Sequence, residues 1–152
     1  METAPEAPEL DAEKVIDILN RVVEHELAGT VRYTQYSLMV FGHARIPIIG
    51  WMRSQANESA LHAIQAGEEV TSRGGKVSLG IGELVGTHHD AVDEMMQEML
   101  THERRAIQLY RELLSVSEGR DVSLEELARQ MIRQEELDVA EIEKMLRKRG
   151  DA

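Results

Sequence analysis

Residues 23–33 read VEHELAGTVRY, and this stretch places a carboxylate on the side of a helix that should be apolar. At helical spacing, Glu26 falls in line with apolar and small residues on both sides, namely Val15, Leu19, Val22, Gly29, Tyr33 and Tyr36. A buried, unpaired carboxylate is strongly destabilising. Glu26 therefore requires a cationic partner, a proton or a metal ion, and the rest of the chain must supply it.

The composition of the 152 residues favours a single, nearly all-α domain with few aromatic side chains (3%) and three prolines. The net charge of −11 disfavours nucleic-acid binding and suits a protein that attracts cations. The absence of cysteine excludes disulfides and thiolate metal sites. No apolar run approaches the ~20 residues that a membrane span needs, so we expect no membrane association. The acidic, proline-containing residues 1–9 are unlike a signal peptide, which predicts a cytoplasmic protein.

The pattern of apolar residues, caps and glycines predicts four long helices. Asp11 is the expected N-cap of the first helix, and a Ser123-x-x-Glu126 capping box is expected to begin the fourth. Residues 76–86 are rich in glycine, which predicts an extended crossover between two antiparallel hairpins. The predicted helices are residues 11–41, 47–73, 90–118 (with 87 as an alternative start) and 123–149. We therefore expect an all-α four-helix bundle over residues 10–149, with a tail at 1–9 and a short C-terminal end at 150–152.

The pattern around Glu26 occurs twice in the chain, at the same spacing. In each copy a His-Glu pair is followed by a tyrosine seven residues after the glutamate and by a second glutamate 32 residues after it. The copies are His25-Glu26, Tyr33 and Glu58 in the first half, and His102-Glu103, Tyr110 and Glu135 in the second. Such a repeat indicates one shared site rather than scattered surface charges.

Six metal-binding side chains fall on the inward faces of the predicted helices: Glu26, Glu58, His62, Glu103, Glu135 and Asp138. Carboxylate and imidazole ligands suit iron, manganese and zinc, and two bound ions would compensate the buried negative charge. The spacing predicts Glu58 and Glu135 as bridges between two ions, with each of the other four residues serving one ion. A buried arginine is an equally good explanation for any single glutamate. The chain offers Arg32, Arg53, Arg104 and Arg105 for that role.

The tyrosines and histidines of the repeat are not among the predicted metal ligands. Tyr33 and Tyr110 are expected to hydrogen-bond the ligands of the opposite half of the bundle rather than to react. His25 and His102 lie about 100° around the helix from the glutamates, which predicts surface or interface positions.

With these motifs the chain resembles the ferritin-like superfamily, and most closely the bacterioferritins, over residues 19–146. Bacterioferritins carry Glu-x-x-His on the second and fourth helices. Here the histidine follows Glu58 by four residues, as His62, and aspartate replaces it after Glu135, as Asp138. A π-bulge in the second helix would restore the usual position of His62. Ser59 stands where bacterioferritins have the haem-binding methionine, so haem is not supported.

The resemblance implies a di-iron site at which the four glutamates Glu26, Glu58, Glu103 and Glu135 form the catalytic set for oxidising Fe(II) with O₂ or H₂O₂. The lack of a fifth helix argues against a 24-subunit cage, so a homo-oligomer that is a dimer or a small cage is expected. Two alternatives stay open: a di-metal oxidase or peroxidase without iron storage, and a metal-free structural bundle.

Overall fold

The computed structural model describes residues 4, 6, 8–84, 88–148 and 150. The fold consists of four helices, α1 (Ala12–Met39), α2 (Arg45–Ser72), α3 (Val92–Ser117) and α4 (Val122–Leu146). The described part of the chain contains no β-strand. The predicted all-α four-helix bundle is therefore confirmed. Most of residues 1–9 and 150–152, together with the alternative helix start at residue 87, lie outside the described residues.

Aspartate side chains cap the first and the last helix of the bundle, one as predicted and one not. Asp11 caps α1 as expected, because its carboxylate accepts a hydrogen bond from the Lys14 amide at 3.2 Å. The capping box predicted to begin at Ser123 is wrong. Asp121 caps α4 instead, accepting from the Leu124 amide at 3.0 Å and pairing with Arg73 at 3.2 Å. The ionised Asp121 carboxylate both caps the helix and pairs with Arg73. The helix therefore begins two residues earlier than it would if Ser123 were the N-cap.

The helices run up, down, down and up. A short connection makes α1 and α2 an antiparallel hairpin, and another joins α3 to α4. Tyr33 of α1 contacts Glu103 of α3. Tyr110, which lies later in α3, contacts Glu26, which lies earlier in α1. Thus α1 and α3 are antiparallel neighbours, and the long crossover returns the chain to the opposite end of the bundle.

The first part of the crossover, residues 75–84, contains no helix or strand and is hydrogen-bonded to the side of α1. The Gly82 amide donates to the Glu24 carbonyl at 2.7 Å, and the Ser78 hydroxyl donates to the Glu24 carboxylate at 2.6 Å. A β-carbon at Gly82 would lie 2.9 Å from that carbonyl oxygen, so this close approach requires glycine. The predicted crossover between the two hairpins is confirmed, and its extended conformation stays a prediction.

The buried core consists of two apolar clusters with the candidate metal-binding residues between them. One cluster includes Val15, Leu19 and Leu113, and the other includes Tyr36, Met52 and Met99. On each helix, the predicted polar positions lie between the residues that contribute to the two clusters. None of the described helices is long and apolar enough to cross a bilayer.

Candidate metal centre

Five of the six predicted ligands form two overlapping groups in which potential ligand atoms lie within 4.8 Å of one another. The first group is Glu26, His62 and Glu135, and the second is Glu103, Glu135 and Asp138. All five residues are buried. Because Glu135 belongs to both groups, the two groups are adjacent and share one carboxylate.

Two buried polar atoms at this centre have no hydrogen-bond partner among the described residues, namely Nδ1 of His62 and Oε2 of Glu135. His62 Nδ1 lies 3.2 Å from Glu135 Oε1 and 3.6 Å from Glu26 Oε1. Buried polar atoms that make no hydrogen bond are costly, and imidazole nitrogen and carboxylate oxygen are metal-ligand atoms. The residues present therefore fit a bound cation, which would satisfy both atoms.

Glu58 lies beside this centre but outside both groups. Its side chain is 28% exposed, against 8% for His62, and its Oε1 is 3.9 Å from His62 Nε2. α2 is α-helical from Arg45 to Ser72, so no π-bulge moves His62 back to the third position after Glu58. The bridging role of Glu135 has geometric support from its place in both groups, whereas that of Glu58 stays a prediction.

Two tyrosines connect the halves of the centre through hydrogen bonds across the α1–α3 contact. Tyr33 donates to Glu103 Oε1 at 2.7 Å, and Tyr110 donates to Glu26 Oε1 at 3.1 Å. Burial, followed by the charge of the bonded carboxylate, raises the pKa of each phenol well above its ordinary value. Both tyrosines therefore remain neutral donors that orient a carboxylate supplied by the other hairpin.

Burial and mutual repulsion perturb the carboxylates strongly. Burial, followed by the charges of Glu26 and Asp138, raises the pKa of Glu135 to about 8. Burial and then the charges of Glu58 and Glu103 raise the pKa of Asp138 to about 7, and the pKa of Glu103 also rises well above its ordinary value. Without cations, these groups hold protons near neutral pH because their negative charges are costly at such close range.

The neighbouring carboxylates raise the pKa of His62. Burial alone would lower this pKa, but the carboxylates of Glu26 and Glu58 outweigh burial and raise it. A bound cation would instead lower the pKa of His62, because an imidazole must be deprotonated to act as a ligand.

The four arginines that could pair with the central glutamates contact groups outside the candidate centre. Arg32 pairs with Glu98 at 2.7 Å, and Arg53 donates to the Ser37 hydroxyl at 3.2 Å. Arg104 pairs with Glu143, and Arg105 donates to the side chain of Gln108. These contacts favour a metal over an arginine as the compensation for the central carboxylates.

The structure places His25 and His102 in a stack between α1 and α3, half-buried, with ring centroids 3.9 Å apart. His25 Nε2 lies 2.8 Å from the His102 carbonyl oxygen. The prediction was a surface or an interface position. A fully exposed position is wrong, because the side of α1 that carries His25 faces α3 and both rings are half-buried, whereas the interface position stays a prediction. The repeat contained the signal, because His25 and His102 hold the same position in its two copies and meet where α1 and α3 lie side by side.

A second polar cluster, which the sequence did not predict, joins α1 to the start of α3. The Tyr36 hydroxyl, the Arg32 guanidinium and His89 Nε2 all contact the Glu98 carboxylate. The Arg32 guanidinium also lies 4.5 Å from the centroid of the Tyr36 ring. Tyr36 alone was predicted to be inward-facing, and nothing in the spacing distinguished Glu98 from the solvent-facing glutamates.

Comparison with known proteins agrees with this architecture. A family model described as a ferritin-like domain matches residues 16–150. The chain belongs to this ferritin-like family. A comparison with curated proteins found no significant match.

Solved structures of ferritin-like proteins superpose closely on this chain at low sequence identity. A ferritin-like, diiron-carboxylate protein of Bacillus anthracis has a TM-score of 0.83 and 20% identity, covering 90% of this chain and 98% of its own. A dodecameric, bacterioferritin-related thioferritin of Bacteroides fragilis has a TM-score of 0.84 and 21% identity, covering 91% and 87%. The bacterioferritin of Desulfovibrio desulfuricans, solved for its diiron site, has a TM-score of 0.80 and 22% identity, covering 89% and 79%. At these identities the likeness establishes the ferritin-like fold.

Proposed function

We propose that this ferritin-like protein binds Fe(II) as a substrate at the two groups that share Glu135 and oxidises it with O₂ or H₂O₂. The observation that carries the proposal is a pair of buried ligand atoms that make no hydrogen bond, His62 Nδ1 and Glu135 Oε2, among carboxylates that repel one another. Bound iron supplies the electrons for the oxidant, and the protein supplies the ligands and their orientation.

Each residue has a distinct part in this proposal. Glu135 bridges, while Glu26 and His62 hold one ion and Glu103 and Asp138 hold the other. Glu58, the more exposed carboxylate, completes the ligand set from the side of His62. Tyr33 and Tyr110 fix the carboxylates that they hydrogen-bond, which reduces the reorganisation needed when the ions bind.

The donor sets suit iron and leave room for other metals. Imidazole and carboxylate together suit Fe(II) and Zn(II), and the all-carboxylate group also suits Mn(II). The net charge of −11 attracts cations towards the protein. Iron storage or detoxification in a homo-oligomer, a dimer or a small cage, is the biological role that we propose for this chemistry. Twelve or more subunits by light scattering would favour storage; the Bacteroides fragilis thioferritin is a dodecamer.

The test is rapid-mixing oxidation of Fe(II) with the parent and with Glu135→Ala and Glu26→Ala. Both substitutions should abolish fast oxidation because each removes a buried ligand, while the helical circular-dichroism spectrum persists. Glu136→Ala is the matched control, since Glu136 is exposed and pairs with Arg111 at the surface. Oxidation by the Glu135→Ala or Glu26→Ala protein at the parent's rate would refute the assignment.

A further inference from the structure

His25 and His102 immediately precede the candidate ligands Glu26 and Glu103, and they join the two backbones that carry those ligands. Their rings stack with centroids 3.9 Å apart and an interplanar angle of 10°. His25 Nε2 lies 2.8 Å from the His102 carbonyl oxygen, and because a carbonyl only accepts, the imidazole donates this hydrogen bond. The accepting oxygen belongs to the peptide group that links His102 to Glu103. α1 is therefore bonded to α3 directly beside a candidate ligand.

The contact in the other direction places the His102 ring against the backbone of α1 at Gly29, three residues after Glu26. A β-carbon at Gly29 would lie 2.5 Å from His102 Nε2, so the ring occupies space that any side chain there would need. The same β-carbon would lie 3.1 Å from Oγ of Ser59, which follows the predicted ligand Glu58 on α2. Three helices that carry candidate ligands thus meet at Gly29.

The separation of α1 and α3 at this level determines the separation of the two groups of ligand atoms. Glu26 belongs to the group that contains His62, and Glu103 belongs to the group that contains Asp138. Both helices run without interruption past the centre, so these carboxylates move with their backbones. Glu135 can serve both groups only while they stay at a suitable distance, and binding constellations tolerate displacements of only about 0.5 Å.

We propose that His25 and His102 are positioning residues that set the distance between the two ion positions, an inference that rests on the proposed function. His25 holds the helices together through its hydrogen bond, and the His102 ring limits how closely they approach at Gly29. Neither histidine belongs to the two groups of ligand atoms. Both line a cavity of about 430 Å³ between α1, α3 and the crossover. A ring lost from the stack would enlarge this cavity and leave the helix separation unfixed.

The experiment is electron paramagnetic resonance of the protein loaded anaerobically with two Mn(II) per chain, because Mn(II) reports on a pair of ions without any oxidation of iron. Two Mn(II) ions that share a carboxylate are exchange-coupled, and their spectrum differs from that of isolated ions. We expect a coupled spectrum from the parent and its loss in Glu135→Ala, which removes the shared carboxylate. An uncoupled spectrum from the parent would overturn the inference, since the histidines would then have no pair of ions to position.

Substitutions in the stack should abolish the coupling while the helices remain folded. His102→Ala removes the ring above Gly29, and His25→Phe keeps a ring but loses the hydrogen bond to the carbonyl. Each should give the spectrum of isolated Mn(II) and weaken binding of the second ion by roughly 10–100-fold, the usual effect of removing a group that orients ligands. Leu124→Ala is the control, because it opens a cavity in the apolar core at the start of α4 and should lower stability without changing the spectrum. An unchanged spectrum in either histidine variant, or equal loss in Leu124→Ala, would refute the positioning role.

A double substitution tests the contact at Gly29. Gly29→Ala alone should abolish the coupled spectrum, because its β-carbon would meet His102 Nε2. In the His102→Ala background the added methyl has room and fills part of the vacated space, so there it should restore part of the coupling. Independent, additive losses in the double variant would contradict the contact through which His102 is proposed to act.

The outcomes separate the positioning role from the function on which it rests. If the parent fails to oxidise Fe(II) rapidly, or if Glu135→Ala oxidises it at the parent's rate, both proposals fall. If rapid oxidation depends on Glu135 but the coupled Mn(II) spectrum survives in His102→Ala, the positioning role alone falls. Circular dichroism of each variant establishes that the bundle is intact before its spectrum is interpreted.

Discussion

Gly29 shows how a single residue sets the distance between α1 and α3 at the level of the candidate centre. A β-carbon there would lie 2.5 Å from His102 Nε2 and 3.1 Å from Ser59 Oγ. The His102 ring is held by its stack on His25, so it has little freedom to move away. Gly29→Ala should therefore lower the free energy of unfolding by about 1–3 kcal/mol, the usual cost of overpacking, measured by urea denaturation.

The control for this substitution is Gly50→Ala in α2. Gly50 is exposed, and nothing lies within 4 Å of the position that its β-carbon would take. Alanine should stabilise the protein there by roughly 0.5–1 kcal/mol, because glycine is a poor helix former. Equal effects of the two substitutions would contradict the close approach of α3 to Gly29.

The glutamates of the centre could be predicted at the residue scale because each interrupts an apolar stripe at a repeated spacing. The sequence could not predict which of these carboxylates lie close enough to share an ion. Whether Glu135 or Glu58 is the shared carboxylate depends on the distance between α2 and α4. The orientation of His25 was missed for a similar reason. Helical periodicity gives the direction of a side chain around its own helix, but only the neighbouring helix decides whether that direction meets solvent.

The α1–α3 pair is also held by the Glu98 cluster, an interaction between elements rather than between single residues. The Arg32 and Glu98 side chains are 10% and 16% exposed, and Tyr36 and His89 share the same carboxylate. Removing the carboxylate leaves the Arg32 charge without this partner in a largely dehydrated place. Glu98→Ala should therefore destabilise the bundle by about 3 kcal/mol in thermal or urea unfolding, the cost of breaking a buried pair.

An exposed ion pair between α3 and α4 provides the comparison. The Arg104 and Glu143 side chains are 56% and 44% exposed, so water screens their attraction at 2.9 Å. Glu143→Ala should change the stability by less than about 1 kcal/mol. A loss as large as that of Glu98→Ala would show that burial is not what gives the Glu98 cluster its strength.

Helix boundaries were less predictable than helix identity, and α4 illustrates the reason. Two N-terminal signals, Asp121 and Ser123, stand two residues apart, and either can cap a helix. Arg73, from the end of α2, decides between them by pairing with Asp121. That partner is 48 residues away in the sequence, so capping rules that use only neighbouring residues cannot predict its effect.

For the whole molecule, the sequence predicted the architecture because long apolar stripes, glycine stops and one long crossover allow few alternatives. It also predicted that negative charge would concentrate at mid-bundle. The structure adds the magnitude of the resulting perturbation, with the pKa of Glu135 raised to about 8 and that of Asp138 to about 7. These values follow from burial and mutual distance, which residue spacing alone does not give.

The raised pKa values predict that the metal-free bundle loses stability as the pH rises. An unfolded glutamate titrates near 4.5, whereas folded Glu135 titrates near 8. Between these values the folded state binds more protons than the unfolded state, so the free energy of unfolding falls with increasing pH. The contribution of Glu135 is fully present below about pH 4.5 and is lost by about pH 8.

Metal binding should reverse this dependence, because protons and cations compete for the same oxygens and for His62. With excess Zn(II), which is redox-inert, the melting temperature should increase from pH 5 to pH 8, while that of the metal-free protein decreases over the same interval. Differential scanning fluorimetry of both forms measures the two slopes. Glu135→Gln should flatten both slopes, since it removes the shared carboxylate, whereas Glu136→Gln at the exposed neighbouring position should flatten neither. Parallel slopes in the two forms would show that the cation binds away from these carboxylates, because only ligands that release protons can couple metal affinity to pH in this direction.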